Sequence, residues 1–69
     1  MVKIEAYHDG EIWCARGIGV DIFTQGETMD ELIANIREAV ALHFEDQPEV
    51  PDVLVLSELK TGHAKAAAG

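Results

Sequence analysis

The sequence predicts an α+β domain of element order β-β-β-α-β, a four-stranded mixed sheet with one helix on one face. Three observations predict it. An Asp9-Gly10 pair separates two alternating stretches, the strong short-range signal for a hairpin. Residues 29–44 repeat their apolar positions with helical period, between a capping box and Pro48. A short continuous apolar run, Val53-Leu54-Val55-Leu56, follows Pro51, as in a buried strand.

The first strand is expected over residues 2–8, with Val2, Ile4 and Ala6 on one face. Asp9-Gly10 then forms a two-residue turn of the type that needs positive φ at both central positions. Residues 11–16 return as the second strand, and Gly17-Ile18-Gly19 breaks it and allows a bend. Residues 20–25 make the third strand. Gly26 supplies a permissive backbone for the sharp strand-to-helix turn. Thr28 and Glu31 have capping-box spacing: the hydroxyl accepts from the Glu31 N–H while the carboxylate reaches back to the Thr28 N–H. Asp30 and Glu31 place negative charge where the helix dipole favours it. Leu32, Ile33, Ile36, Ala39, Val40, His43 and Phe44 form the apolar stripe. Asp30, Glu31, Ala34, Asn35, Glu38 and Glu45 lie outside it. Pro48 disfavours helical geometry at Gln47 and ends the helix. The fourth strand, residues 53–56, reads as buried on both faces. The domain spans residues 1–60, and 61–69 form a small, polar tail expected to fray.

A helical crossover from the third strand brings the fourth alongside the first and parallel to it. With a two-residue turn the expected pairs are His8 with Glu11, Tyr7 with Ile12, Ala6 with Trp13, Glu5 with Cys14 and Ile4 with Ala15. Ile4, Ala6, Trp13 and Ala15 then face the helix. Tyr7, Ile12 and Cys14 face the other way, with Lys3, Glu5 and Arg16 beyond them. One helix is about 10 Å across, whereas four strands at about 4.8 Å spacing are roughly twice as wide. A second copy covering Tyr7, Ile12 and Cys14 would resolve the excess of apolar surface, so a homodimer or higher homo-oligomer is expected.

Composition narrows the chemistry. The chain has 69 residues, 13 Asp and Glu against 5 Lys and Arg, and a formal net charge of −8. That balance argues against binding a phosphate backbone. The single cysteine, Cys14, forms no disulfide within the chain, and no signal peptide or membrane span is legible, so a cytoplasmic protein is expected. Glu5, Glu38, Asp52 and Glu58 are the carboxylates a two-metal nuclease would use, but their spacing is not diagnostic and Glu38 lies on the outer helix face. His8, His43 and Cys14 lack the close pairing of zinc ligands. His43 instead sits in the last helical turn, where a cation suits the dipole. Neither a cofactor nor a metal is expected, and no catalytic residue is assigned.

The stretches Asp9-Gly10, Trp13-Cys14-Ala15-Arg16, Thr24-Gln25-Gly26-Glu27-Thr28 and 31–40, which contains Asn35-Ile36-Arg37-Glu38-Ala39, resemble the HicB-like family of antitoxin domains. The family pattern has a glycine hairpin, an aromatic-x-Ala strand, a T-Q-G-[DE]-T turn and a helix carrying Asn-Ile-x-Glu-Ala. The resemblance covers Asp9 to about Phe44. It implies a partial RNase H-like fold without catalytic carboxylates, oligomerisation, and binding to a small basic HicA-like RNase toxin. Its motif residues Gly10, Gly26, Thr28 and Glu31 are structural, and the net charge of −8 suits a basic partner.

Two departures limit what carries over. Arg16-Gly17-Ile18-Gly19-Val20 stands where the family often has a Pro-x-Leu-Pro-Gly stretch. Full-length antitoxins also append a DNA-binding module, whereas nine residues follow the predicted domain here, so direct DNA binding is not expected. The expectation is a non-enzymatic protein-binding domain, with Glu11, Asp30, Glu38 and Glu45 as partner-facing acids beside Glu31. The alternatives are an orphan homo-oligomeric scaffold or regulator without a toxin and, last, a metal-dependent RNase H-like nuclease.

Overall fold

The computed structural model describes residues 1–57; the expected tail 61–69 and Glu58 lie outside the described residues. Five elements follow in the order β1 Val2–His8, β2 Trp13–Ile18, β3 Phe23–Gly26, α1 Met29–His43 and β4 Val53–Ser57. The sheet has four strands in the order β3-β2-β1-β4. β1 is antiparallel to β2 and parallel to β4, and β2 is antiparallel to β3. This is the expected α+β layout, with the helix on one face of a mixed sheet.

The hairpin register differs from the expected one by two residues. His8 pairs with Trp13, Tyr7 with Cys14, Ala6 with Ala15 and Glu5 with Arg16. The connection is four residues long because Asp9 organises it through its side chain. Asp9 Oδ1 accepts from the N–H groups of Glu11 and Ile12, each at 2.9 Å, and the Asp9 N–H donates to the Ile12 carbonyl at 3.1 Å. Gly10 takes φ +106° within this turn. The two amide donors, Ile12 first and Glu11 second, hold the Asp9 carboxyl below its ordinary range. A carboxyl whose folded pKa is depressed stabilises the fold above its unfolded value, and that support is lost as pH falls through the folded pKa. Asp9 is therefore expected to titrate below an ordinary aspartate when its carboxyl carbon is followed by NMR. An unshifted value would remove the carboxylate from the turn.

β2 also runs further than expected, through Gly17 and Ile18. Gly17 stays in the sheet opposite Ile4, and its N–H donates to the Ile22 carbonyl at 2.8 Å. The bend comes after it, at Gly19 with φ +79°. Residues 20–22, expected in the third strand, instead form the connection, where the Ile22 N–H donates to the Val20 carbonyl at 3.0 Å. Ile22 drops into the core at 7% exposure.

The helix starts as its sequence dictates. Thr28 is the N-cap, and its hydroxyl accepts from the Glu31 N–H at 3.1 Å. The Glu31 carboxylate accepts from the Glu27 N–H at 2.7 Å, one residue earlier than the expected Thr28 N–H, so the longer arm of the box ties down the turn before the cap. Thr28→Ala is expected to cost about 1 kcal/mol in urea denaturation, with Thr28→Ser close to wild type. Phe44 is the C-cap. The Gln47 N–H donates to the Phe44 carbonyl at 3.0 Å, so a separate turn stands between the helix end and Pro48.

Leu32, Ile36 and Val40 are buried on the helix, and Val2, Ile4, Ala6 and Ala15 are buried on the sheet beneath it. The helix lies nearest β3 and β2. β4 is therefore an edge strand with only partial cover: Val53 and Val55 are half-buried, and Leu54 and Leu56 are 40% and 42% exposed. The expectation of a strand buried on both faces is corrected. A single helix is too narrow to cover four strands, and nothing in the chain's described residues covers the other face.

Candidate functional site

The pleat sorts side chains by parity. On the face away from the helix, the pairings align three rows across the sheet. The first is Gln25, Cys14 and Tyr7; the second is Phe23, Arg16, Glu5 and Leu56; the third is Ile18, Lys3 and Leu54. The middle row carries an ion pair, with Arg16 Nε donating to Glu5 Oε1 at 2.6 Å. Phe23 at 60% and Ile18 at 48% exposure join Leu54 and Leu56 as the large apolar side chains open to water on this face.

Of the three residues expected on an oligomer face, Cys14 is buried, and Tyr7 and Ile12 are half-buried. The Cys14 Sγ lies 3.8 Å from Asp9 Oδ2 and 3.8 Å from the Ile12 carbonyl oxygen. Burial, then the Asp9 charge, pushes its thiol above the ordinary range, which keeps the thiolate scarce at neutral pH. Cys14 thus packs as a small apolar side chain under the hairpin turn. Ile18, Phe23, Leu54 and Leu56, the more exposed members of the open face, were not singled out in the sequence. Their signal was present in the uninterrupted apolar run of β4, of which only one face can be covered.

The acids expected to face a partner occupy other parts of the surface. Glu11 is exposed in the hairpin turn, Asp30, Glu31 and Glu38 are exposed on the helix, and Glu45 is exposed just after it. Glu31 and Glu38 are two helical turns apart, about 10 Å along the axis. Glu5–Arg16 is the one ion pair among the described residues, so these acids stand without a bound cation. Asn35, expected to be purely outward, donates from Nδ2 to the Gln25 carbonyl at 2.7 Å. It ties the helix to β3, a role for the asparagine of the Asn-Ile-x-Glu-Ala stretch.

The carboxylates weighed for metal binding do not converge. Glu5 stands on the open face, whereas Glu38 is on the helix that covers the other side. Asp52 lies just before β4, where its carbonyl accepts from the Val2 N–H at 2.8 Å. Among the described residues no group of three or more His, Cys, Asp or Glu side chains could hold a metal ion. His8 packs edge-on against Trp13, ring centres 5.0 Å apart, and His43 against Phe44 at 4.7 Å. A groove of about 340 Å³ lies between Asp21, Ile22 and Phe23 on one side and Ala39, Leu42 and His43 on the other. No helix among the described residues is long and apolar enough to cross a membrane. Comparison of the chain with family models, with curated proteins and with solved structures finds no match in any of the three.

Proposed function

We propose that this chain is a non-enzymatic, HicB-like protein-binding domain that neutralises a small basic HicA-like RNase toxin through its acidic helix side. The observation that carries the reading is the line of exposed acids at Glu31, Glu38 and Glu45, none ion-paired among the described residues. Surface acids of this kind steer a basic partner and set its orientation more than they add raw affinity. The fold, with its capped helix start, supports the reading because the motif residues of the HicB-like resemblance build that start. The test is capture of the chain from its native cells. A stoichiometric small basic protein whose RNA cleavage is lost on complexation supports the proposal, and the pair Glu38→Lys and Glu45→Lys should weaken that complex at least tenfold. Unchanged affinity would reject the helix side as the docking surface. Cleavage of RNA by this chain alone, stimulated by Mg²⁺ or Mn²⁺ and abolished by a chelator, would replace the proposal with a nuclease.

The second reading, a homo-oligomeric scaffold or regulator without a toxin, is favoured by a different observation. Ile18, Phe23, Leu54 and Leu56 are all at least 40% exposed on one sheet face, and apolar groups gathered in this way mark a contact surface. Recovery of the chain only with itself selects this reading.

A further inference from the structure

The geometry points to a second copy of this chain as the occupant of the open sheet face, packed face to face about a two-fold axis that runs along the strands between β1 and β2. The choice of occupant comes from charge. The face carries Lys3 and Arg16 against the single acid Glu5, in a chain whose formal charge is −8. It is therefore the place on this molecule least suited to a basic partner. Its pattern is nonetheless complementary to itself.

Two sheets packed face to face sit about 10 Å apart with their strands roughly aligned. A two-fold axis along the strands, between β1 and β2, exchanges the two halves of each row. In the middle row, Arg16 of one copy then faces Glu5 of the other, and Phe23 faces Leu56. The two intrachain pairs become a cluster of four charges of alternating sign, so the central ions are compensated across the interface as well as within each chain. Lys3 comes to lie over Ile18, where its aliphatic stem covers apolar surface while its ammonium reaches the rim. Cys14 faces Tyr7. The two-fold axis at right angles, in the same plane, would set Arg16 on Arg16 and Glu5 on Glu5. Like charges face to face are strongly unfavourable in a desolvated contact, so the charges select the first axis. Both helices remain outward, and the dimer holds whether or not a toxin exists.

The test uses the full chain and two charge reversals, Glu5→Arg at a half-buried position and Arg16→Glu at an exposed one, with folding checked by circular dichroism. Sedimentation equilibrium is expected to show a dimer for the wild type and at least tenfold weaker self-association for each variant alone. One variant then presents only arginines in the central row and the other only glutamates. An equimolar mixture of the two is expected to form a heterodimer, because arginine meets glutamate across the interface in both facing pairs. Leu54→Lys, which leaves the ion pair intact, is expected to weaken the wild-type dimer. A monomeric wild type overturns the proposal. So does a dimer indifferent to these changes, which would point to pairing along the open edge of β3 or β4. Failure of the mixture to associate overturns the face-to-face packing, because the mixed pair sets opposite charges across it. None of these outcomes bears on the toxin reading, whose acids lie elsewhere.

Discussion

Ile36→Ala is expected to cost about 3 to 4 kcal/mol and to leave much of the protein unfolded at physiological temperature. Ile36 is 1% exposed in the middle turn of the buried helix stripe, between Leu32 and Val40, both fully covered. The sheet beneath offers no volume to fill the space left by truncation. Its central pair is Ala6 with Ala15, each at 0% exposure, so the side chains that fill the middle of the core come from the helix. Domains hold about 0.05 to 0.15 kcal/mol per residue, so a chain of 69 residues has about 3 to 10 kcal/mol in total. A loss of this size moves the melting temperature of so small a domain down by about 15 °C or more. Ile36→Val, which keeps the branch and most of the volume, should lose only about 1 kcal/mol. Thermal melts followed by far-UV circular dichroism check both, at one fixed protein concentration because self-association shifts apparent stability. An alanine variant that melts within a few degrees of wild type would move the centre of the core away from Ile36.

How much of this was legible in the sequence follows from period. Ile4, Ala6 and Ala15 were placed under the helix correctly although the hairpin register was off by two residues. The side-chain period of a strand is two, so a shift of two leaves every face unchanged. The register itself was not legible because Asp9 carries it through a side-chain hydrogen-bond pattern, while the Asp9-Gly10 pair read as a shorter turn. The helix start was legible to the residue, since Thr28 and Glu31 announce it by spacing. The exposed members of the open face were a different matter. Leu54 and Leu56 look like core in any one-dimensional reading, and only the width of one helix against four strands shows that nothing among the described residues covers them. Exposure depends on what is absent from a face, and no local pattern records that. Asn35 likewise looked like an outward polar residue until the closeness of β3 gave its amide a carbonyl to reach.

Gly26 was legible as a requirement, but the reason lies in space rather than in backbone freedom, and Gly26→Ala tests the difference. The glycines with positive φ are Gly10 and Gly19; Gly26 is not among them. An added Cβ at Gly26 would instead sit 2.7 Å from the Leu32 nitrogen, 3.0 Å from the Leu32 Cα and 3.1 Å from the Glu31 carbonyl carbon. These are backbone atoms of the first helical turn, so no rotamer change relieves the contact. The turn is also held in place. The Leu32 N–H donates to the Thr28 carbonyl at 2.9 Å, Glu31 bonds the Glu27 N–H, and Asn35 bonds the Gln25 carbonyl on the other side of the glycine. Making room for one methyl therefore means lifting the helix from β3 and loosening bonds on both flanks. The expected cost is about 2 to 3 kcal/mol, the upper part of the range for overpacking a close contact. Asparagine separates the two explanations. It accepts positive φ better than alanine does, so a need for backbone freedom would make Gly26→Asn the milder change. Steric crowding makes Gly26→Asn at least as damaging as Gly26→Ala, and urea denaturation of the two variants reads the order directly. In the alanine variant, amide exchange should quicken first at Glu31 and Leu32, where the clash falls. Quickening confined to the distant β1–β4 pairing would be incompatible with a helix pressed against this glycine.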